Sequence, residues 1–166
     1  MTFSVLGQGL FEKFPEVQNE QILIDQNDSL LTVSIENEDF LENMTDGGGH
    51  LKGFYDKNGS IRKIEVIVFI SIGVQEYDFY LKNESPILIE DRFKQFSWSE
   101  ETSSFDYNHF DGGFHGTYIF QNGHLVDHIS LGHNRFEDDR IDIEETFMGE
   151  FESYLDKIKK RLANKG

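Results

Sequence analysis

The chain has 166 residues, of which 31 are acidic and 15 basic, so its formal net charge is −16. This length is typical of one domain, and we predict a single domain over residues 1–166. The absence of cysteine excludes disulfide scaffolds, thiolate zinc sites and cysteine catalysis. The charge argues against nucleic acid and anionic membranes as partners, because both repel it, and favours basic partners, cations or solubility alone.

The first predicted element is a helical segment over residues 1–20, where apolar side chains recur at helical spacing. A sheet is predicted over 21–131, because this chain has a single alanine against 16 phenylalanines and is rich in isoleucine. The predicted strands, in chain order, are 21–25, 29–36, 50–57, 60–72, 76–82, 86–91, 115–121 and 124–131.

Turn residues separate these strands. The dipeptides Asn58-Gly59 and Asn122-Gly123 predict type I′ hairpin turns, in which both central residues take positive φ. Residues 83–86 form a third break, 40–44 a predicted helical turn, and 97–113 a long loop of polar and aromatic residues. Strands joined mainly by short turns predict an antiparallel meander.

The last predicted element is an amphipathic helix over residues 142–163, with apolar side chains every three or four positions. Acidic residues dominate its first half and basic residues its last turns, so its charges complement the helix dipole. We expect this helix to pack on one face of the sheet; a helix that binds a partner is the alternative. The predicted fold class is α+β.

A weak internal repeat places an aromatic residue four positions before an asparagine. The three pairs are Phe54 and Asn58, Phe79 and Asn83, and Tyr118 and Asn122. The aromatic-x-x-x-Asn-Gly pattern resembles hairpin units of bacterial antitoxin-repeat, or immunity-type, proteins and other small bacterial β-meander proteins. The middle unit departs from it, with Glu84 in place of glycine. The resemblance implies a binding or neutralising protein rather than an enzyme, and it implies no catalytic residues.

Histidines suggest one possible site, since five of the six lie between His109 and His133. A zinc or other transition-metal site is one interpretation, with His109, Asp111 and His115 as its candidate ligands. Histidines exposed on hairpins are the alternative, and we predict no cofactor.

Two further groups are candidates for contact with a partner. The acidic cluster Glu137, Asp138 and Asp139 precedes the last helix, where it could form a contact surface for a basic protein. Carboxylates in a cleft could instead perform acid–base chemistry. The aromatic residues of the predicted loop include Trp98, Phe105, Tyr107 and Phe110. They either cap the open end of the sheet core or form a recognition patch.

The leading hypothesis is a non-enzymatic acidic binding protein of bacterial type; its specific form is an immunity or antitoxin-like protein that neutralises a basic toxin domain. One alternative is a small-ligand-binding or enzymatic domain with a sheet pocket and a histidine-based site. Another is a secreted or lipid-anchored surface protein. No run of 18 apolar residues occurs and no leader is visible, so we expect a cytoplasmic protein, or a periplasmic or surface protein if a leader has been removed.

Overall fold

The computed structural model describes residues 5–165, with side chains from residue 7 onward, so residues 1–4 of the predicted N-terminal helix lie outside the described part. The elements are α1 (Val5–Lys13), α2 (Pro15–Asp25), β1 (Leu31–Glu36), β2 (Gly49–Tyr55), β3 (Ile61–Ile70), β4 (Gly73–Lys82), β5 (Ser85–Ser99), β6 (Ser104–Gln121), β7 (His124–Leu131) and α3 (Ile143–Ala163). The seven strands form one sheet in the order β1 to β7, with every neighbouring pair antiparallel. The predicted α+β meander is confirmed.

Helix α3 packs across the first face of the sheet. Its N-cap is Asp142, whose carboxylate accepts a hydrogen bond from the Glu145 N–H at 2.8 Å. Phe147 and Phe151 lie on one side of the helix and pack against Phe79 of β4, at ring distances of 6.4 and 6.1 Å. Burying each such ring contributes about 1.5–3 kcal/mol. The larger of the two hydrophobic core clusters lies on this face.

Helices α1 and α2 cover only one end of the second face. The contacting core residues are Leu10, Phe11, Val17 and Ile24 from the helices and Tyr80, Leu88 and Ile119 from the strands. The strand predicted over 21–25 is therefore wrong, because these residues form the last turns of α2. Val17 and Ile24 are buried seven residues apart, which is two helical turns, and a five-residue run is too short to distinguish this period from alternation.

The hairpin turns differ in how they reverse the chain. Asn122 and Gly123 both have positive φ, 52° and 80°, as predicted for a type I′ turn. At Asn58-Gly59 the prediction is wrong, because only Gly59 has positive φ. That turn is held by Asp56, whose Oδ1 accepts hydrogen bonds from the N–H groups of Asn58 and Ser60. Glu84, at φ 56°, adopts the left-handed conformation that glycine would adopt more readily.

Two other predictions along the chain are wrong. Residues 40–44 form no helical turn; a short 3-10 helix lies just before them, at Asn37–Asp39. Residues 97–113 are not a loop, because β5 continues to Ser99 and β6 begins at Ser104. Serine and tryptophan alternate at residues 97–99, which is the period of a strand, and aromatic cross-strand pairs stabilise such strands.

Candidate functional site

The two longest strands extend beyond the rest of the sheet. Strand β4 pairs with β5 only as far as Gln95, and β7 pairs with β6 only from His115 onward. Residues 96–114 therefore form a two-stranded hairpin that, within the described residues 5–165, has no neighbouring strand over most of its length, and we call this segment the arm. An isolated hairpin of two strands is marginally stable, so the arm needs stabilisation from its side chains.

Aromatic contacts supply that stabilisation. Phe96 is 7% exposed and lies between two rings, with Tyr107 edge-on at 5.0 Å and Phe110 stacked at 5.4 Å. Nearer the tip, Trp98 meets Phe105 edge-on at 5.1 Å, and the two residues are cross-strand partners. Each such aromatic pair contributes about 0.5–1.5 kcal/mol beyond its buried area. The predicted recognition residues therefore also hold the arm together.

A bulge in β6 brings Tyr107 onto Phe96. Phe96 pairs with Phe110 but the next residue, Ser97, pairs with Asp106, so residues 107–109 are left out of the ladder. The Asp106 carboxylate accepts a hydrogen bond from the Asn108 N–H at 2.9 Å and lies 2.7 Å from His109 Nδ1. Both contacts lower the pKa of Asp106, and the hydrogen bond from the Asn108 N–H has the larger effect. Asp106, the paired residue just before the bulge, therefore holds the bulge in this conformation.

The arm presents a large apolar surface to solvent despite these contacts. Tyr107 is 65% exposed, and Trp98 and Phe110 are each 51% exposed. Next to the arm, Phe69 at the end of β3 and Ile72 on the β3–β4 turn are also exposed, at 38% and 44%. Contiguous exposed apolar groups of this kind mark interaction sites, and partly exposed Trp and Tyr are the residues most often found at binding hot spots.

A groove of about 440 Å³ lies at the base of the arm. Phe96 and Tyr107 line it from the arm, the Phe69–Ser71 segment lines it from the end of β3, and Asp46 and Gly47 line it from the β1–β2 connection. Asp46 is exposed and is the charged residue among them. The groove therefore combines an apolar, aromatic wall with a carboxylate.

The meander brings further acidic residues to the same end of the sheet. In an antiparallel meander every second connection lies at the same end, so the arm shares its end with residues 37–48, 71–72 and 132–142. We call these four segments together the acidic end. They contain twelve acidic and two basic side chains, a formal charge of −10 out of −16. The connections at the opposite end contain three acidic side chains and one basic; they are residues 26–30, 56–60, 83–84 and 122–123.

The two basic residues of the acidic end are engaged by carboxylates. Arg135 donates two hydrogen bonds to Glu150 of α3, at 2.5 and 2.9 Å, and its guanidinium lies 5.3 Å from the centre of the Phe147 ring. Arg140 donates to both carboxylate oxygens of Asp138. The positive charge at this end is therefore neutralised locally, and the acidic surplus faces solvent.

The predicted acidic cluster lies on this end, next to the last strand. Glu137 closes a 3-10 turn after β7, and its carboxylate lies 3.0 Å from His133 Nδ1. Hydrogen bonds from Arg140 hold the pKa of Asp138 below its usual value. Asp139 is exposed. The structure thus places Glu137, Asp138 and Asp139 at the same end as the aromatic arm, a proximity that the sequence interpretation did not include.

The candidate metal ligands are distributed differently. His109 is paired with Asp106 on the bulge, whereas His115 Nε2 lies 2.7 Å from the buried Glu90. The two histidines are six residues apart along β6, at most about 20 Å at the rise of an extended chain, and each is paired with a different carboxylate. Asp111 is exposed on the arm. Among residues 5–165, no group of three or more His, Asp or Glu side chains is placed to hold a metal ion.

A second charged region covers the second face of the sheet beside α1 and α2. Arg92 donates to Asp78 at 2.5 Å and to Glu76 at 3.2 Å, and Lys94 donates to Glu76 at 2.7 Å. Burial alone would raise the pKa of Glu76, but the hydrogen bonds from Lys94 and Arg92 outweigh it and lower that pKa. These charges satisfy one another, so this region stabilises the sheet and contributes little to the acidic surplus.

Sequence reasoning missed the groove residues Asp46, Phe69 and Ser71, because they are distant from the arm along the chain. Counting the connections of the predicted meander would have placed residues 37–48 at the same end as the arm. No protein-family model, curated protein or solved structure matches this chain. Over the part of the chain that the structure describes, no helix is long and apolar enough to cross a membrane.

Proposed function

We propose that this chain is a non-enzymatic binding protein whose acidic end takes a basic protein partner. One observation carries the proposal: the meander brings an exposed aromatic arm and twelve acidic side chains to the same end. Exposed rings supply the contact area that determines affinity, and the surplus charge steers a basic partner toward them. A nucleic acid would be repelled by the same charge.

The resemblance to hairpin units of bacterial immunity-type proteins suggests what kind of basic partner this chain binds. A bacterial immunity or antitoxin-like protein would neutralise a basic toxin domain, such as a nuclease, in the cytoplasm of the cell that makes it. The acidic end suits that role because a nuclease carries basic residues where it contacts nucleic acid. An acidic protein covering those residues would compete with the substrate for the same surface.

The proposal is tested with the products of the genes that flank the one for this chain, and we expect one of them to be a basic protein that binds it. The two purified proteins are mixed and their complex is measured by size-exclusion chromatography and by titration at low and high salt. We expect a complex whose affinity falls about tenfold or more between about 50 mM and about 300 mM NaCl. A complex insensitive to salt would contradict the electrostatic part of the proposal.

Matched charge variants locate the contact. The double variant Glu100→Gln and Glu101→Gln removes two charges from the tip of the arm, and the control Glu16→Gln and Asp28→Asn removes two from the opposite end. Both variants have the same net charge. We expect the arm variant to weaken binding about fivefold or more and the control to change it by less than about twofold. Equal effects of the two variants would overturn the proposal.

A further inference from the structure

The groove at the base of the arm has the chemistry of a side-chain pocket. Its wall includes the ring of Tyr107, held edge-on against Phe96, together with the apolar side chains of Phe69 and Ile70. Its charged residue is the exposed Asp46, and none of the described Lys or Arg side chains lines it. A side chain with a long apolar stem and a cationic head would match both features, because the stem packs on the wall and the head reaches the carboxylate.

A free strand edge begins beside the groove. The Phe96 N–H donates to the Ile72 carbonyl at 3.0 Å, and this is the last bond that the β3–β4 side of the sheet makes to β5. Beyond it, residues 97–99 pair with β6 on one side only, among the residues that the structure describes. Unpaired N–H and C=O groups on such an edge can pair with an extended segment of another chain.

We propose, resting on the function proposed above, that the groove receives an arginine side chain from an extended segment of the basic partner. The guanidinium stacks on the Tyr107 ring and pairs with the Asp46 carboxylate, while the backbone of the segment pairs with β5 from Ser97 onward. Charge complementarity selects this occupant, because the arm contains four carboxylate side chains and no Lys or Arg.

Arginine is favoured over lysine for a geometric reason. Its planar guanidinium stacks on an aromatic ring and donates two parallel hydrogen bonds to one carboxylate. Lysine has a compact, strongly hydrated ammonium that makes neither contact as well. The groove has the Tyr107 ring and the Asp46 carboxylate, and an arginine side chain contacts this combination better than a lysine side chain does.

The test uses a blocked tetra-arginine peptide, with tetra-lysine as its comparison, titrated into the full chain. Binding is followed by the fluorescence of Trp98, which is the single tryptophan and lies on the free edge, and by the amide NMR shifts of Gly47, Ser71 and Tyr107. We expect tetra-arginine to bind about threefold or more tightly than tetra-lysine and to shift those amides. Equal affinity for the two peptides, or no binding at about 1 mM, would overturn the inference.

Variants separate this inference from the proposed function. We expect Tyr107→Ala and Asp46→Asn each to weaken tetra-arginine binding about threefold to fivefold, with Tyr107→Phe close to the original chain. Asp28→Asn is the matched control at the opposite end and should bind the peptide normally. Asp46→Asn leaves the rings of the arm in place, so it remains informative if Tyr107→Ala unfolds the arm.

Binding of the basic partner by the same variants shows whether the groove inference or the proposed function has failed. If Tyr107→Ala and Asp46→Asn bind that partner as the original chain does, while the Glu100 and Glu101 double variant loses binding, the groove inference is wrong and the proposed function stands. If the double variant also binds normally, the proposed function is wrong. Weakened binding of the partner by the groove variants supports both.

Discussion

Asp91 is the group whose titration we expect to control stability near neutral pH. It lies on β5 beneath α3, is 3% exposed, and accepts a hydrogen bond from Gln75 Nε2 at 2.6 Å. Burial raises the pKa of its carboxyl to about 6, although the Arg135 guanidinium and the Gln75 hydrogen bond act in the opposite direction. The folded protein therefore takes up a proton at Asp91 at a higher pH than the unfolded chain does.

The size and sign of the effect follow from linkage. The pKa of Asp91 rises from 3.8 to about 6 on folding, which is about two units. Each unit corresponds to about 1.4 kcal/mol, so the titration of Asp91 changes the free energy of unfolding by about 3 kcal/mol. Because the folded pKa is the higher one, this stability is fully present below pH 3.8 and is lost as the pH rises through 6. Carboxylates with lowered pKa values, such as Glu76, act in the opposite direction: the stability that they contribute to the fold is lost as the pH falls.

The variant Asp91→Asn isolates this contribution. Asparagine keeps an acceptor for Gln75 and resembles the protonated acid, so we expect the variant to be more stable than the original chain at pH 7, by up to about 3 kcal/mol. The difference should shrink toward zero near pH 4. Urea unfolding of both chains at several pH values between 4 and 7 measures it, and subtraction removes the contribution of every other carboxylate.

Two results would contradict the raised pKa of Asp91 or its effect on stability. If the difference between the two chains does not change between pH 4 and 7, Asp91 does not titrate with the raised pKa. If the variant is less stable at pH 7, the attraction between charged Asp91 and Arg135 outweighs the cost of burial. The second result would assign Asp91 a stabilising role as a charged group.

Three further substitutions test the packing. Phe96→Ala removes the ring between Tyr107 and Phe110, so hydrogen exchange should show lost protection over residues 97–113 while the free energy of global unfolding changes by less than about 1 kcal/mol. Phe147→Ala, on the buried side of α3, should by contrast cost about 3–5 kcal/mol in urea unfolding, and a cost below about 1 kcal/mol would contradict its central position. Glu84→Gly should melt at a higher temperature than Glu84→Ala, because both variants lose the hydrogen bond from Lys159 and only glycine adopts positive φ without a cost of about 1 kcal/mol; equal melting temperatures would argue against strain there.

The fold was predictable where one period dominated a long segment. Alternation placed Ile64 and Val66 on the buried side of β3, and helical spacing placed Phe147 and Phe151 on the buried side of α3. The prediction failed at 21–25, where five residues cannot distinguish a helix from a strand. It also failed at 97–113, where the polar residues and a three-residue bulge hide the alternation of two long strands.

The site was predictable in its residue types but not in its assembly. Trp98, Tyr107 and Phe110 stand out in the sequence as aromatic residues among polar neighbours, and they are exposed in the structure. The groove depends on Asp46 and Phe69, which reach the arm only because β1 to β5 pair in order. Such long-range neighbours are determined by topology, and no local pattern indicates them.

Hydrogen–deuterium exchange of the complex with the basic partner measures directly whether the acidic end is the binding surface. We expect slowed exchange over the arm and over residues 37–48 and 132–142, with little change in the connections at the opposite end. Slowed exchange confined to that opposite end or to α3 would show that the partner binds elsewhere.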